Sequence, residues 1–169
     1  MSSTGTLTLL AQYKHWADQL LFDNLAELPP EELARERAGP LPSLIGILNH
    51  VYVIDRIWQG HMLERDHGYK SRMEIVYPGL VELRGAQEEI DRWFVAWSRE
   101  QTPESLDRPL AFRFLSGNSG VMSAGEMFLH VVNHATFHRG WVTQLLFEVP
   151  AHPPVTDLCV YLTEPRPAG

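Results

Sequence analysis

A chain of 169 residues fits a single domain with one sizeable core, and its 44% hydrophobic and 21% charged residues are those of a folded protein rather than a disordered one. A formal net charge of −7, with no cluster of Lys and Arg, argues against nucleic acid as a partner. No stretch approaches the ~20 apolar residues of a membrane span, and MSSTGTLTLLAQYKHW has neither a basic leader nor an apolar run, so the expectation is a cytoplasmic protein without membrane contact.

The first expected element is an amphipathic helix over residues 6–28, with Leu7, Leu10, Ala17, Leu21, Leu25 and Leu28 at mixed three and four spacings. Pro29 and Pro30 stop it, and a polar connection follows with one short helical turn between Pro30 and Arg37. Ser43 is placed to cap a second helix that ends near Glu64 or Arg65, its apolar stripe running through Leu44, Ile47, Leu48, Val51, Ile54, Trp58 and Met62. A long loop over RDHGYKSRMEIVYPG leads to a third helix, about 80–99, with Leu83, Ala86, Ile90, Trp93, Phe94 and Trp97 inward.

Residues 109–122 alternate around Phe112 and Phe114 into the glycine turn SGNSG, which reads as a short β-hairpin. Ser123 and Glu126 have the S-x-x-E spacing of a capping box and open a fourth helix, 123–148. The tail after Val149-Pro150 is expected to dock one apolar run and then fray. Four long helices and one hairpin make an all-α, four-helix bundle in a single domain spanning 1–169.

Cys159 is the only cysteine, so a metal site must use His and carboxylate; among Leu158, Val160 and Leu162 it is expected to be buried and inert. The fourth helix carries His130, His134 and His138 at four-residue spacing. Residues four apart share a face, so His134 and His138 can chelate one ion. His130 and His138 lie roughly 12 Å apart along the axis, too far to share an ion whose bonds to nitrogen are ~2.0–2.1 Å. His50, on the core-facing side of the second helix, is the best third donor; His61 shares that side about three turns further on, His15 is expected at the surface, and His67 and His152 fall in loops.

Three histidines would leave a fourth position for water or substrate, the pattern of a catalytic site. Asn49, Asn133, Asp55 and Arg139 are candidates to orient the imidazoles, as is His130 beside them. Tyr13, Asp55 and Asp157 are candidates for a general base by position, and Trp16, Trp58 and Trp141 for lining a cleft. Against this stands a bundle whose histidines bond to the backbone and to each other, with no metal.

The segments YKHWADQLLFDNL, LNHVYVIDRIWQGHM and HVVNHATFHRG, with the hairpin before Ser123 and the later Asp157 and Tyr161, resemble the DinB family, the DinB/YfiT-like group of metal-dependent proteins. The resemblance implies a four-helix bundle, often a homodimer, holding a divalent ion on His50, His134 and His138. Zinc or nickel is the foremost expectation and manganese or iron the alternative. It further implies a thiol-dependent S-transferase acting on a small-molecule substrate with a low-molecular-weight thiol. A metal-dependent hydrolase, or a damage-inducible, stress-related metal-binding protein without catalysis, is the alternative.

Overall fold

The structure is a computed structural model that describes residues 3–149 and 151–163. Four long helices, α1 (Ser3–Ala26), α3 (Leu44–Met62), α4 (Leu80–Glu100) and α6 (Ala124–Leu146), form the expected bundle. Each packs on two neighbours, in the closed order α1–α4–α3–α6 and back to α1. Three short helices accompany them among the described residues: α2 (Pro30–Ala34), α5 (Pro103–Leu106) and α7 (Leu158–Thr163). No helix among the described residues is long and apolar enough to cross a membrane.

Local chemistry accounts for the starts and stops. The Ser43 hydroxyl accepts from the Gly46 amide at 3.1 Å and caps α3. At the head of α6 the capping box is complete: Ser123 Oγ accepts from the Glu126 amide at 3.2 Å, and the Glu126 carboxylate accepts from the Ser123 amide at 2.7 Å. The hairpin pairs β1 (Pro109–Arg113) with β2 (Ser119–Ser123) in antiparallel register, Leu110 opposite Met122 and Phe112 opposite Gly120. Its turn needs Gly117, whose φ of 93° lies in the left-handed region.

α4 ends at Glu100, and just beyond it Thr102 and Ser105 form a second capping box that starts α5. Two expectations need correction. Cys159 is exposed rather than buried, because α7 turns Tyr161 toward α1 and leaves the thiol outside. His15 is half-buried, its ring 3.7 Å from the Asp91 carboxylate, because its neighbour Lys14 points inward. The expected fraying of the tail falls largely on 164–169, outside the described residues.

Lys14 is the decisive departure from apolar packing. Fully buried on α1, its ammonium contacts Asp18 at 3.0 Å, Asp55 of α3 at 2.8 Å, and Asp91 of α4. Gln87 of α4 donates to Asp55 at 2.9 Å and to Asp91 at 3.0 Å. From α6, Arg139 donates to Asp18 at 3.0 Å and to the Tyr13 hydroxyl at 3.2 Å, and Tyr13 in turn donates to the Thr156 carbonyl at 2.8 Å. One hydrogen-bonded chain therefore joins all four long helices and the C-terminal segment.

The network holds three carboxylates against the two cations Lys14 and Arg139, an excess of one negative charge. That excess falls on Asp55, whose carboxyl is pushed up to about 6 by burial and by the charge of Asp91, against the pull of Lys14. Asp91 is driven up by burial too, but Lys14, the nearby His15 ring and the hydrogen bond from Gln87 hold it below the ordinary carboxylate range. Asp55→Asn keeps the shape and removes the excess charge, so its stability in urea at neutral pH is expected to stay within ~1 kcal/mol of the parent. Lys14→Met strands buried carboxylates and is expected to cost ~3–5 kcal/mol. Equal losses in the two variants would contradict this charge balance.

Candidate metal centre

Two helices bring three imidazoles together. His134 and His138 stand one turn apart on α6 with ring centroids 4.4 Å apart. His50 comes from α3, its ring 5.1 Å from that of His134 and 4.7 Å from that of His138. One ring nitrogen from each lies within 4.8 Å of the other two, and no fourth His, Cys, Asp or Glu joins the group among the described residues.

His50 and His134 approach Nε2 to Nε2 at 3.2 Å. Bonds of ~2.0–2.1 Å arranged tetrahedrally place neighbouring nitrogens about 3.3 Å apart, so this edge already has the span a zinc-like ion requires. The tautomer of His50 fits as well. Its Nδ1 lies 2.8 Å from the Arg72 carbonyl, which can only accept, so Nδ1 carries the proton and Nε2 keeps its lone pair for the cluster.

The loop that bears the Arg72 carbonyl is tied down by the residue before His50. Asn49 is fully buried; its amide donates to the Ile45 carbonyl at 2.9 Å and the Tyr77 carbonyl at 2.8 Å, and its oxygen accepts from the Val76 and Tyr77 amides, both at 2.9 Å. Asn49 thus clamps the long loop 63–79 against α3, and the loop orients His50. Sequence spacing pointed to Asn49 but not to Arg72, whose contribution is a main-chain oxygen that no side-chain pattern reveals.

The other expected orienting groups lie elsewhere. Asp55 and Arg139 are engaged in the buried charge network, Asn133 is exposed, and the His130 ring sits 5.7 Å from that of His134 and 4.8 Å from that of Trp58. The Nδ1 atoms of His134 and His138 are buried without a hydrogen-bond partner. A cavity of about 10 Å³, the size of one water, separates His138 from the network and is walled by Asp18, Gln87 and Arg139.

All three imidazoles are held neutral, the state a metal ligand needs. Burial, reinforced by His138 and His50, drives His134 down to about 2, and burial with the charge of His50 drives His138 down to about 4. Burial also lowers His50.

The cluster opens onto a cleft of about 800 Å³, in the range of small-molecule sites. Trp58 and Trp141 line it with His61, His130, Ile54 and Ile57. Trp16 does not; it packs with Tyr13 and Tyr161 in a separate cluster. The candidates for a general base are also away from the cleft: Tyr13 and Asp55 sit in the network, and the main-chain carbonyl of Asp157 starts α7.

Because the native state resists protonation of these rings, metal-free protein should be fully stable above the ordinary histidine value of 6.5 and lose stability as pH falls toward 4. His138→Phe should flatten that slope in urea melts between pH 7 and 4. An unchanged slope would mean that this ring does not set it.

The chain is similar to known proteins in sequence and in fold. Protein DinB of Bacillus subtilis is 33% identical over 163 residues, covering 90% of this chain and 91% of its own. The crystal structure of a DinB-like protein from Bacillus cereus superposes with a TM-score of 0.66 at 20% identity, covering 85% of this chain and 91% of that one. The DinB family model matches residues 1–167, so the bundle with its three-histidine cluster belongs to the DinB family.

Proposed function

We propose that this protein is a metal-dependent enzyme that transfers a low-molecular-weight thiol to an electrophilic small molecule, with the ion held by His50, His134 and His138. The observation that carries the reading is a three-histidine donor set, with no fourth protein ligand among the described residues, on the floor of a cleft of about 800 Å³. Such a set belongs to sites that leave one position open. When bound, the ion supplies Lewis acidity that lowers the pKa of a thiol or water presented to it.

The chain's own residues do the rest. His50 is aimed by the Arg72 carbonyl, and the His134–His138 pair is fixed by one turn of helix. The indoles of Trp58 and Trp141 give the cleft apolar walls that exclude water around a reacting sulfur. In the transfer, a sulfur–carbon bond forms as the bond from carbon to its leaving group breaks, and the thiol proton departs with that group. Hydrolysis is the rival. The cleft lining holds no carboxylate, and His61 and His130 are the imidazoles beside the cluster able to take a proton in either chemistry.

Protein purified without a polyhistidine tag should carry about one divalent ion per chain by elemental analysis, zinc or nickel foremost. His134→Ala should abolish stoichiometric metal and His130→Ala should not; equal loss in both would mean the ligand set is wrong. With a panel of small thiols and an electrophilic aryl halide, mass spectrometry should detect thioether formation that disappears on chelation. Absence of any adduct in the metal-loaded protein would overturn the transferase reading and leave a binding role for the site.

A further inference from the structure

The cleft beside the cluster is basic on an acidic protein. The chain has a net charge of −7, yet the cleft is lined by Lys70, Arg72 and Arg113 and by no Asp or Glu. Some arginines nearby in sequence are paired: Arg84 holds Asp23 and Glu88, and Arg108 holds Glu64. Among the described residues Arg72 and Arg113 form no such ion pair, whereas Lys70 has the Glu74 carboxylate near it. Two arginines thus line a small-molecule cavity without an ion-pair partner among the described residues.

Their placement follows from the fold. Arg72 lies on the loop whose carbonyl orients His50, and its charge is felt by that imidazole. Arg113 ends β1, opposite Ser119 in the hairpin. The two cations therefore reach the cleft from separate segments, and the wall around them is apolar, with Met73, Phe114 and Leu115 all partly exposed to the cavity. Guanidinium is suited to carboxylate and phosphate, which it meets with paired N–H donors, and it remains charged at any physiological pH.

We infer that the cleft selects a small molecule with an apolar body and at least one acidic group, received by Arg72 and Arg113, while its other end faces the histidine cluster. This rests on the proposed function only in taking the cluster end as the reactive end; the preference for an acid needs no ion.

The test uses the full chain, metal-free and zinc-loaded, in low-salt calorimetric titrations with phenylbutyrate, phenyl phosphate and the neutral phenylbutanol. At least one acid should bind about tenfold or more tighter than the alcohol in both metal states, and the tighter acid assigns the group as carboxylate or phosphate. Added salt should erode the advantage. In the Arg72→Ala, Arg113→Ala double variant, folded by circular dichroism, the advantage should shrink to within about twofold with the alcohol unaffected; Arg72→Lys, Arg113→Lys should keep part of it. Equal binding of acid and alcohol, binding of none of the probes, or an advantage that survives the double alanine variant would overturn the inference. So would an advantage confined to zinc-loaded protein, since the ion would then be holding the acid. A chain that takes up no metal would defeat the proposed function and still report on this preference.

Discussion

The fold turns on a single buried ammonium. Lys14 brings carboxylates from α1, α3 and α4 to one point, and Asp18 passes the connection to Arg139 on α6. Charges buried this completely are tolerated only in good geometry, so the network admits one relative height for the four helices, where a purely apolar seam would admit several. It is a specification device more than a source of net stability.

The same device sets the histidines. Asp55 follows His50 by five residues on α3, and Arg139 follows His138 directly on α6. α3 thus carries one cluster histidine and one network residue, about 7.5 Å apart along the axis at 1.5 Å per residue, and α6 carries two cluster histidines with a network residue directly after the second. Locking Asp55 and Arg139 into register with Lys14 brings the His50 ring to within 3.2 Å of His134, nitrogen to nitrogen. Rotation of His50 is then removed by the Arg72 carbonyl, on a loop that Asn49 ties down at Val76 and Tyr77. Sites built this way, on rigid helices with a supporting shell, hold their ligands at the tolerance a metal demands.

What the sequence made legible follows the range of each interaction. The His134–His138 pair and the Ser123 capping box are local, set by helical spacing alone, and both are found where spacing puts them. His50 was reached through the core-facing stripe of a second helix, with the family resemblance agreeing, because nothing local joins residues 84 apart. The network escaped for a different reason. Lys14, Asp18, Asp55, Gln87 and Asp91 occupy buried positions on the inward stripes, but apolar periodicity counts a charge as solvent-facing. The available signal was polar partners at core spacing on two helices, Lys14 and Asp18 four apart on α1 and Gln87 and Asp91 four apart on α4. Cys159 erred the other way: a short apolar run reads as core, yet in a six-residue helix only the face bearing Tyr161 meets the bundle.

The division between the two polar clusters has a chemical consequence. The network retains ionised groups in a fully enclosed space, whereas the histidines are kept neutral at the cleft floor by burial and by one another. Neutral imidazoles compete for a cation without first releasing protons, and three of them add no negative charge of their own. An ion bound there would keep its full double charge, undiminished by carboxylate or thiolate ligands, and would face a cleft whose own side chains include cations and no anions. A ligand entering that field gains by bringing negative charge at both ends, at the donor atom beside the histidines and at the acidic group beside Arg72 and Arg113. The apolar walls between them then discriminate by shape, so charge at the ends and hydrophobic fit in the middle act on the same molecule.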